Sequence, residues 1–87
     1  MNFSKKELKK KILYRSSYRG TKEMDFLMTS FTNEYIDSLD DNDLVDLSNL
    51  LNLEDEKLYS LNKEKKITKD IPNNKVTNLF ISFKLKK

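Results

Sequence analysis

Residues 21–35 read Thr21-Lys22-Glu23-Met24-Asp25-Phe26-Leu27-Met28-Thr29-Ser30-Phe31-Thr32-Asn33-Glu34-Tyr35. Met24, Leu27, Met28, Phe31 and Tyr35 fall at i, i+3, i+4, i+7 and i+11, which is one face of an amphipathic α-helix. Thr21 stands in front as a natural N-cap, because its hydroxyl can accept from a first-turn amide. The same 3.6-residue period recurs on both sides. Upstream, Ser4-Lys5-Lys6-Glu7 has the form of a capping box, opening a helix that can run to about Arg19. Its inward side would carry Leu8, Ile12 and either Arg15 or Ser16. Gly20 follows, the residue best suited to a left-handed turn just past a helix end.

Downstream, Asp40 or Asp41 can cap a third helix with Leu44, Leu47, Leu50 and Leu51 on its stripe. Asp55 can start a fourth helix bearing Leu58 and Leu61. Residues 62–71 are rich in Lys and Asn and read as a loop. Pro72 fits the first turn of a fifth helix, where its missing N–H costs nothing. Val76, Leu79, Phe80 and Phe83 repeat the helical spacing there. Val-Thr and Phe-Ile-Ser-Phe would also suit a strand, but a lone strand has no partner, so helix is the better reading. The expectation is an all-α chain: one domain, residues 1–87, folded as a compact bundle of about five short helices.

At 87 residues there is room for a single core, and a chain of that size hides only ~60% of its unfolded surface. Hydrophobic residues at 37% and charged residues at 36% suffice for a small helical core. The sequence contains neither Cys nor His. That removes disulfides, thiolate nucleophiles and imidazole ligands, and with them the usual side chains for a metal site or for proton exchange near neutral pH. An enzyme is therefore a poor reading. The longest strongly apolar stretch, Leu79 to Phe83, is far short of the ~18 residues of a membrane span. The first residues read as a helix start without a signal core, and an intracellular protein is the simpler expectation.

The net charge of +3 conceals three blocks. Residues 1–22 carry +7, residues 23–56 carry −11 without a single Lys or Arg, and residues 57–87 carry +7 again. Basic helices that neutralise an acidic one across the fold would account for most of this. Exposed remainders would steer a charged partner. The alternative is a small nucleic-acid-binding protein using residues 5–19 as a basic stripe. Against it stand the acidic middle block and the lack of a groove-reading or base-stacking motif.

The residues that stand out surround the first inter-helix turn: Arg15, Tyr18, Arg19, Gly20, Glu23 and Asp25. Much of this is what helix ends ask for. A cation suits the last turn of one helix and acids suit the first turn of the next, at ~0.3–1 kcal/mol each. Arg19 reads in that light as an exposed cation at a helix end. Glu23, at the positive end of the second helix, reads as a charged acceptor suited to a cationic group.

Tyr18-Arg19-Gly20-Thr21-Lys22-Glu23-Met24-Asp25 also resembles the Arg-Gly-x-x-Glu signature of the SdhE family. These are bacterial FAD assembly factors, whose mitochondrial counterpart is succinate dehydrogenase assembly factor 2. The likeness continues through Glu34-Tyr35, Asp37-Ser38-Leu39, and Leu50-Leu51 with Asp55 and Leu58, covering roughly residues 12–61. The chain departs from the family in having Tyr18 where a first arginine is usual, Leu61 where a Trp is usual, and no Gly shortly after it.

The resemblance implies an assembly factor that binds the flavoprotein subunit of succinate dehydrogenase, with fumarate reductase as a second candidate client. It would promote covalent attachment of FAD to a histidine of that subunit. It assigns partner contact to Arg19, Gly20 and Glu23, with Arg15 and Asp25 in second rank. It implies no catalytic residue, no metal and no stably bound cofactor, the FAD being attached to the partner. It further implies a monomer in the cytoplasm of a bacterium, or in the mitochondrial matrix if the chain is eukaryotic.

Overall fold

Helix ends are set by side chains wherever the sequence supplies them. The computed structural model describes residues 5–85 and contains α1 (Lys5–Ser17), α2 (Lys22–Tyr35), α3 (Asp41–Leu50), α4 (Asp55–Glu64) and α5 (Lys75–Ser82), with no strand among the described residues. Thr21 accepts from the Met24 N–H at 3.2 Å and opens α2. Asp40 accepts from the Asp43 N–H at 2.8 Å, and the Asp43 carboxylate accepts in return from the Asp40 N–H, completing a capping box. Asn74 accepts from the Thr77 N–H at 2.8 Å and opens α5. The all-α, five-helix expectation holds.

Three boundaries differ from the sequence reading, each for a local reason. The box proposed at Ser4 lies outside the described residues. Helix α1 stops at Ser17 rather than Arg19. Ser16 and Ser17 both donate their hydroxyls to the Leu13 carbonyl, and the Arg19 N–H is drawn to the Asp25 carboxylate instead of a helical carbonyl. Helix α4 reaches Glu64, into the stretch read as loop, and closes on Lys65 in the left-handed region (φ 59°). Helix α5 starts at Lys75 under the Asn74 cap, so Pro72 precedes the helix rather than occupying its first turn.

The apolar stripes meet in one cluster. Ile12, Met28, Phe31, Leu44, Leu47, Leu58, Val76 and Phe80 are all fully buried. Helix α1 lies against α2 and α3, and α5 packs on α3 and α4. Phe31 is the hub. Its ring meets Phe80 edge-on at 5.0 Å and Phe83 at 5.3 Å, with Tyr35 at 5.2 Å. Phe83 was expected on the helical stripe and is instead extended at the end of α5. Its ring still reaches the same cluster, as the distance to Phe31 shows.

Opposite charges cross between the blocks: Lys5 with Asp41, Lys9 with Asp37, Lys75 with Asp43, and Arg19 with Asp55. In the 65–74 connection, Lys57 and the Thr68 hydroxyl both donate to Asp70. Those bonds, the one from Lys57 first, hold the Asp70 carboxyl down at about 2. A carboxyl depressed on folding stabilises above its ordinary value near 3.8 and loses that contribution as pH falls through about 2. Both partners are solvent-exposed, so the pair pins the loop more than it stabilises the domain.

One buried polar residue holds the last helix in place. Asn62 of α4, 5% exposed, donates its Nδ2 hydrogens to the Phe80 carbonyl at 2.8 Å and the Phe83 carbonyl at 3.0 Å. The final carbonyls of a helix have no partner within it, and α5 is only eight residues long. The Phe80 carbonyl also accepts from the Phe83 N–H at 3.2 Å, so Asn62→Ala removes two hydrogen bonds without leaving that acceptor bare and should cost about 1–2 kcal/mol. Urea unfolding would show this as a lower midpoint, with faster amide exchange in α5; an unchanged midpoint would remove Asn62 from this role.

Candidate functional site

The turn between α1 and α2 rests on the connection between α3 and α4. Arg19 leaves the end of α1 and turns inward, its side chain only 11% exposed. Its Nε donates to Asp55 Oδ1 at 2.8 Å. Nη1 donates to the Leu51 carbonyl at 3.0 Å, with a longer contact to the Arg15 carbonyl at 3.4 Å, and Nη2 donates to the Leu53 carbonyl at 3.0 Å. Leu51 and Leu53 follow α3 in the connection to α4, where backbone carbonyls and amides lack helical partners. A planar fork of donors suits that cluster of carbonyls and a carboxylate better than an ammonium would. Arg19 is thus not the exposed cation the sequence suggested.

Asp55 completes the arrangement from the other side. As the first residue of α4 it sits at the positive end of that helix. Its Oδ2 accepts from the Gly20 N–H at 2.8 Å while Oδ1 holds Arg19. Gly20 does not adopt the left-handed conformation: no glycine here has a positive φ. The requirement is close approach instead, because a Cβ at Gly20 would lie 3.0 Å from Asp55 Oδ2. That oxygen has little freedom to move, since the same carboxylate is bound to Arg19.

Arg15 and Asp25 serve the same junction. The Arg15 guanidinium reaches Ser48 Oγ at 3.4 Å and the Asn52 side-chain oxygen. Asp25, in the first turn of α2, accepts from the Arg19 N–H. Glu23 stands apart. It is exposed, and its carboxylate makes no hydrogen bond or ion pair among the described residues. It borders a shallow hollow of about 250 Å³ lined by Phe26, Leu27, Tyr59, Lys63 and Leu85. Phe26 and Tyr59 are exposed aromatics, and the Lys63 ammonium lies 5.8 Å from the Tyr59 ring centroid.

The structure therefore gathers around one turn all five residues to which the resemblance assigned partner contact, and divides them. Arg15, Arg19, Gly20 and Asp25 bond within the fold; Glu23 faces out. Sequence reasoning read Asp55 as a helix start and as part of the family likeness, and missed its place beneath Gly20. It also missed Phe26 and Tyr59. A signal for Phe26 was present: it falls off the Met24–Leu27–Phe31 face, so a large aromatic had to lie on the solvent side of α2.

Among the described residues no group of acids could hold a metal ion, and no helix is long and apolar enough to cross a membrane. A family model described as flavinator of succinate dehydrogenase matches residues 10–84. The chain belongs to that family. No curated protein and no solved structure matches it. The match takes in the whole Arg-Gly-x-x-Glu turn and all of α2 through α5. A flavinator is an assembly factor for FAD attachment, and its target here is succinate dehydrogenase. Nothing in the match supports nucleic-acid binding.

The geometry sets what each substitution in this flavinator should do. Arg19→Ala would strand Asp55 and two backbone carbonyls in a largely covered site, at a cost of about 2–3 kcal/mol. In a domain of this size that lowers the thermal midpoint by ~10 °C or more. Arg19→Lys should recover only part of the loss, since one ammonium cannot span the same acceptors. A calorimetric midpoint within a few degrees of the parent for Arg19→Ala would show that the guanidinium is not needed to join the two turns.

Proposed function

We propose that this chain docks on the flavoprotein subunit of succinate dehydrogenase through the surface around Glu23 and promotes covalent attachment of FAD to that subunit. One observation carries the reading. The polar groups of the Arg-Gly turn are taken up by the fold, and the Glu23 carboxylate beside them remains exposed and unpaired. An acid held on the first turn of a capped helix, beside a hollow lined by aromatic and aliphatic groups, suits a partner surface that presents a cation next to an apolar side chain.

In this reading the chain is a monomeric helper with no turnover of its own and no stably held flavin. Arg15, Arg19, Gly20 and Asp25 form the support that fixes where Glu23 points, and Gly20 lets the backbone of the turn lie close to Asp55. The chain has no histidine, so the residue that becomes linked to the flavin belongs to the partner. Binding favours the arrangement of subunit and FAD in which that link forms, with fumarate reductase as a second client. The place of action is the cytoplasm of a bacterium, or the mitochondrial matrix if the chain is eukaryotic.

Glu23 separates function from stability, because its removal takes away only a favourable charge at a helix N-terminus. That costs at most about 1 kcal/mol. Glu23→Ala and Glu23→Gln should therefore melt within several degrees of the parent and yet fail to support flavin attachment. The measurement is covalent flavin fluorescence of the denatured flavoprotein subunit after co-expression. A folded Glu23→Ala protein that supports full attachment would sink the assignment of Glu23.

A further inference from the structure

Helix α1 carries two ridges of lysine with different fates. Lys5 and Lys9 lean towards the acidic block and pair with Asp41 and Asp37. Lys6 and Lys10, one position further round, are exposed and make no ion pair among the described residues. Continuing at the same spacing of four come Tyr14 and Tyr18, 66% and 73% exposed. Their rings lie against each other, centroids 4.8 Å apart and planes tilted by 47°. Residues four apart on a helix are surface neighbours, so Lys6, Lys10 and Tyr14 form one line ~12 Å long at 1.5 Å per residue, and Tyr18, just past the end of α1, extends it through its ring contact with Tyr14. Its aromatic end adjoins the Arg-Gly turn.

Neither half of this line is required by the fold. The core takes only Ile12 and Ser16 from α1 as fully buried residues, and the tyrosines lie outside it. Two large rings kept in water beside two unneutralised ammonium groups are what an interface core with a charged rim looks like before its partner arrives. We propose that Lys6, Lys10, Tyr14 and Tyr18 form a second docking strip, which receives an acidic segment of the flavoprotein subunit bearing an apolar side chain. The proposal rests on the reading of that subunit as the partner. The lysines meet the carboxylates and orient the encounter. The tyrosine pair, beside the Arg-Gly turn, covers the apolar group and slows dissociation.

Charge complementarity favours an acidic protein surface over nucleic acid. Only two unpaired cations lie on the strip, and the exposed carboxylates of Glu23 and Glu56 share a hollow with Thr21 of the adjoining turn, where phosphates would be repelled. The tyrosines cover each other's faces in part, which leaves less ring for a base to stack on.

The test uses the full chain and the purified flavoprotein subunit, with binding kinetics measured at low and at physiological salt. Tyr14→Ala with Tyr18→Ala should melt within a few degrees of the parent and dissociate from the subunit at least tenfold faster. Lys6→Glu with Lys10→Glu should associate about tenfold more slowly at low salt and lose most of the parent's salt dependence, because exposed charges are screened beyond ~8 Å at physiological ionic strength. Folded variants of both kinds that bind as the parent does would overturn the strip while leaving the Glu23 surface intact. A parent chain that does not bind the subunit would overturn both readings. Tight binding of a labelled DNA duplex by the parent, lost in the lysine variant, would reassign the strip to nucleic acid.

Discussion

The contact between Arg19 and Asp55 fixes how the two halves of the chain meet. Helices α1 and α2 form one pair, and α3 leads to α4 through a short irregular connection whose carbonyls need donors. The guanidinium supplies those donors to Leu51 and Leu53 and at the same time engages the acid that starts α4. Asp55 then turns its second oxygen to the Gly20 amide, so a single carboxylate ties down both a side chain and the backbone beside it. Removing one member of a largely covered charged cluster costs more than the intact pair contributes, since the groups left behind have given up water. In a domain whose total stability is of order 5–10 kcal/mol, that asymmetry makes the junction a requirement rather than a refinement.

The charge blocks follow from the same arrangement. A middle segment with eleven acids and no cation would repel itself if it folded alone. Lys5, Lys9, Arg19 and Lys75 come from the flanking segments and meet four of those acids. Exposed pairs such as Lys5 with Asp41 contribute little individually, and their joint effect is to relieve repulsion between α2, α3 and their neighbours. Lys6 and Lys10 of α1, which make no ion pair among the described residues, lie one position further round the helix from that work.

Much of this was legible in the sequence because the apolar periods are strong and the caps are conventional. The stripe from Met24 to Phe31 and the leucines at 44, 47, 50, 51, 58 and 61 all reached the core as expected. Thr21 and Asp40 capped the helices they were assigned to. What could not be read were the long-range reasons for local choices. Gly20 looked like a left-handed helix terminator, because that is the commonest use of a glycine after a helix. Only the fold reveals Asp55, thirty-five residues on, at the position a Cβ would crowd. Arg19 looked like an exposed end-of-helix cation because its acceptors are backbone carbonyls, which leave no mark on a sequence, and a carboxylate thirty-six residues away. The start of α5 was misplaced for a similar reason. Pro72 and Asn74 both carry N-terminal signals, and the Asn side-chain cap prevailed.

The Arg-Gly-x-x-Glu signature therefore mixes two kinds of constraint that a pattern cannot separate. Arginine and glycine are needed so that the turn can sit against α4, and glutamate is not needed for folding by any contact among the described residues. Their spacing follows from helix geometry: once Gly20 is fixed to Asp55 and Thr21 caps α2, residue 23 falls in the first turn of the helix. Its position is then set on both sides, by the cap and by the bond from the Arg19 amide to Asp25. A carboxylate held this way gives up little backbone freedom on meeting a partner, which is where much of the free-energy cost of association otherwise lies. If Glu23 meets the partner as proposed, the half of the signature that bonds within the fold would act on function by keeping Glu23 in place, and a loss in either half would look alike in an activity assay and unlike in a melt.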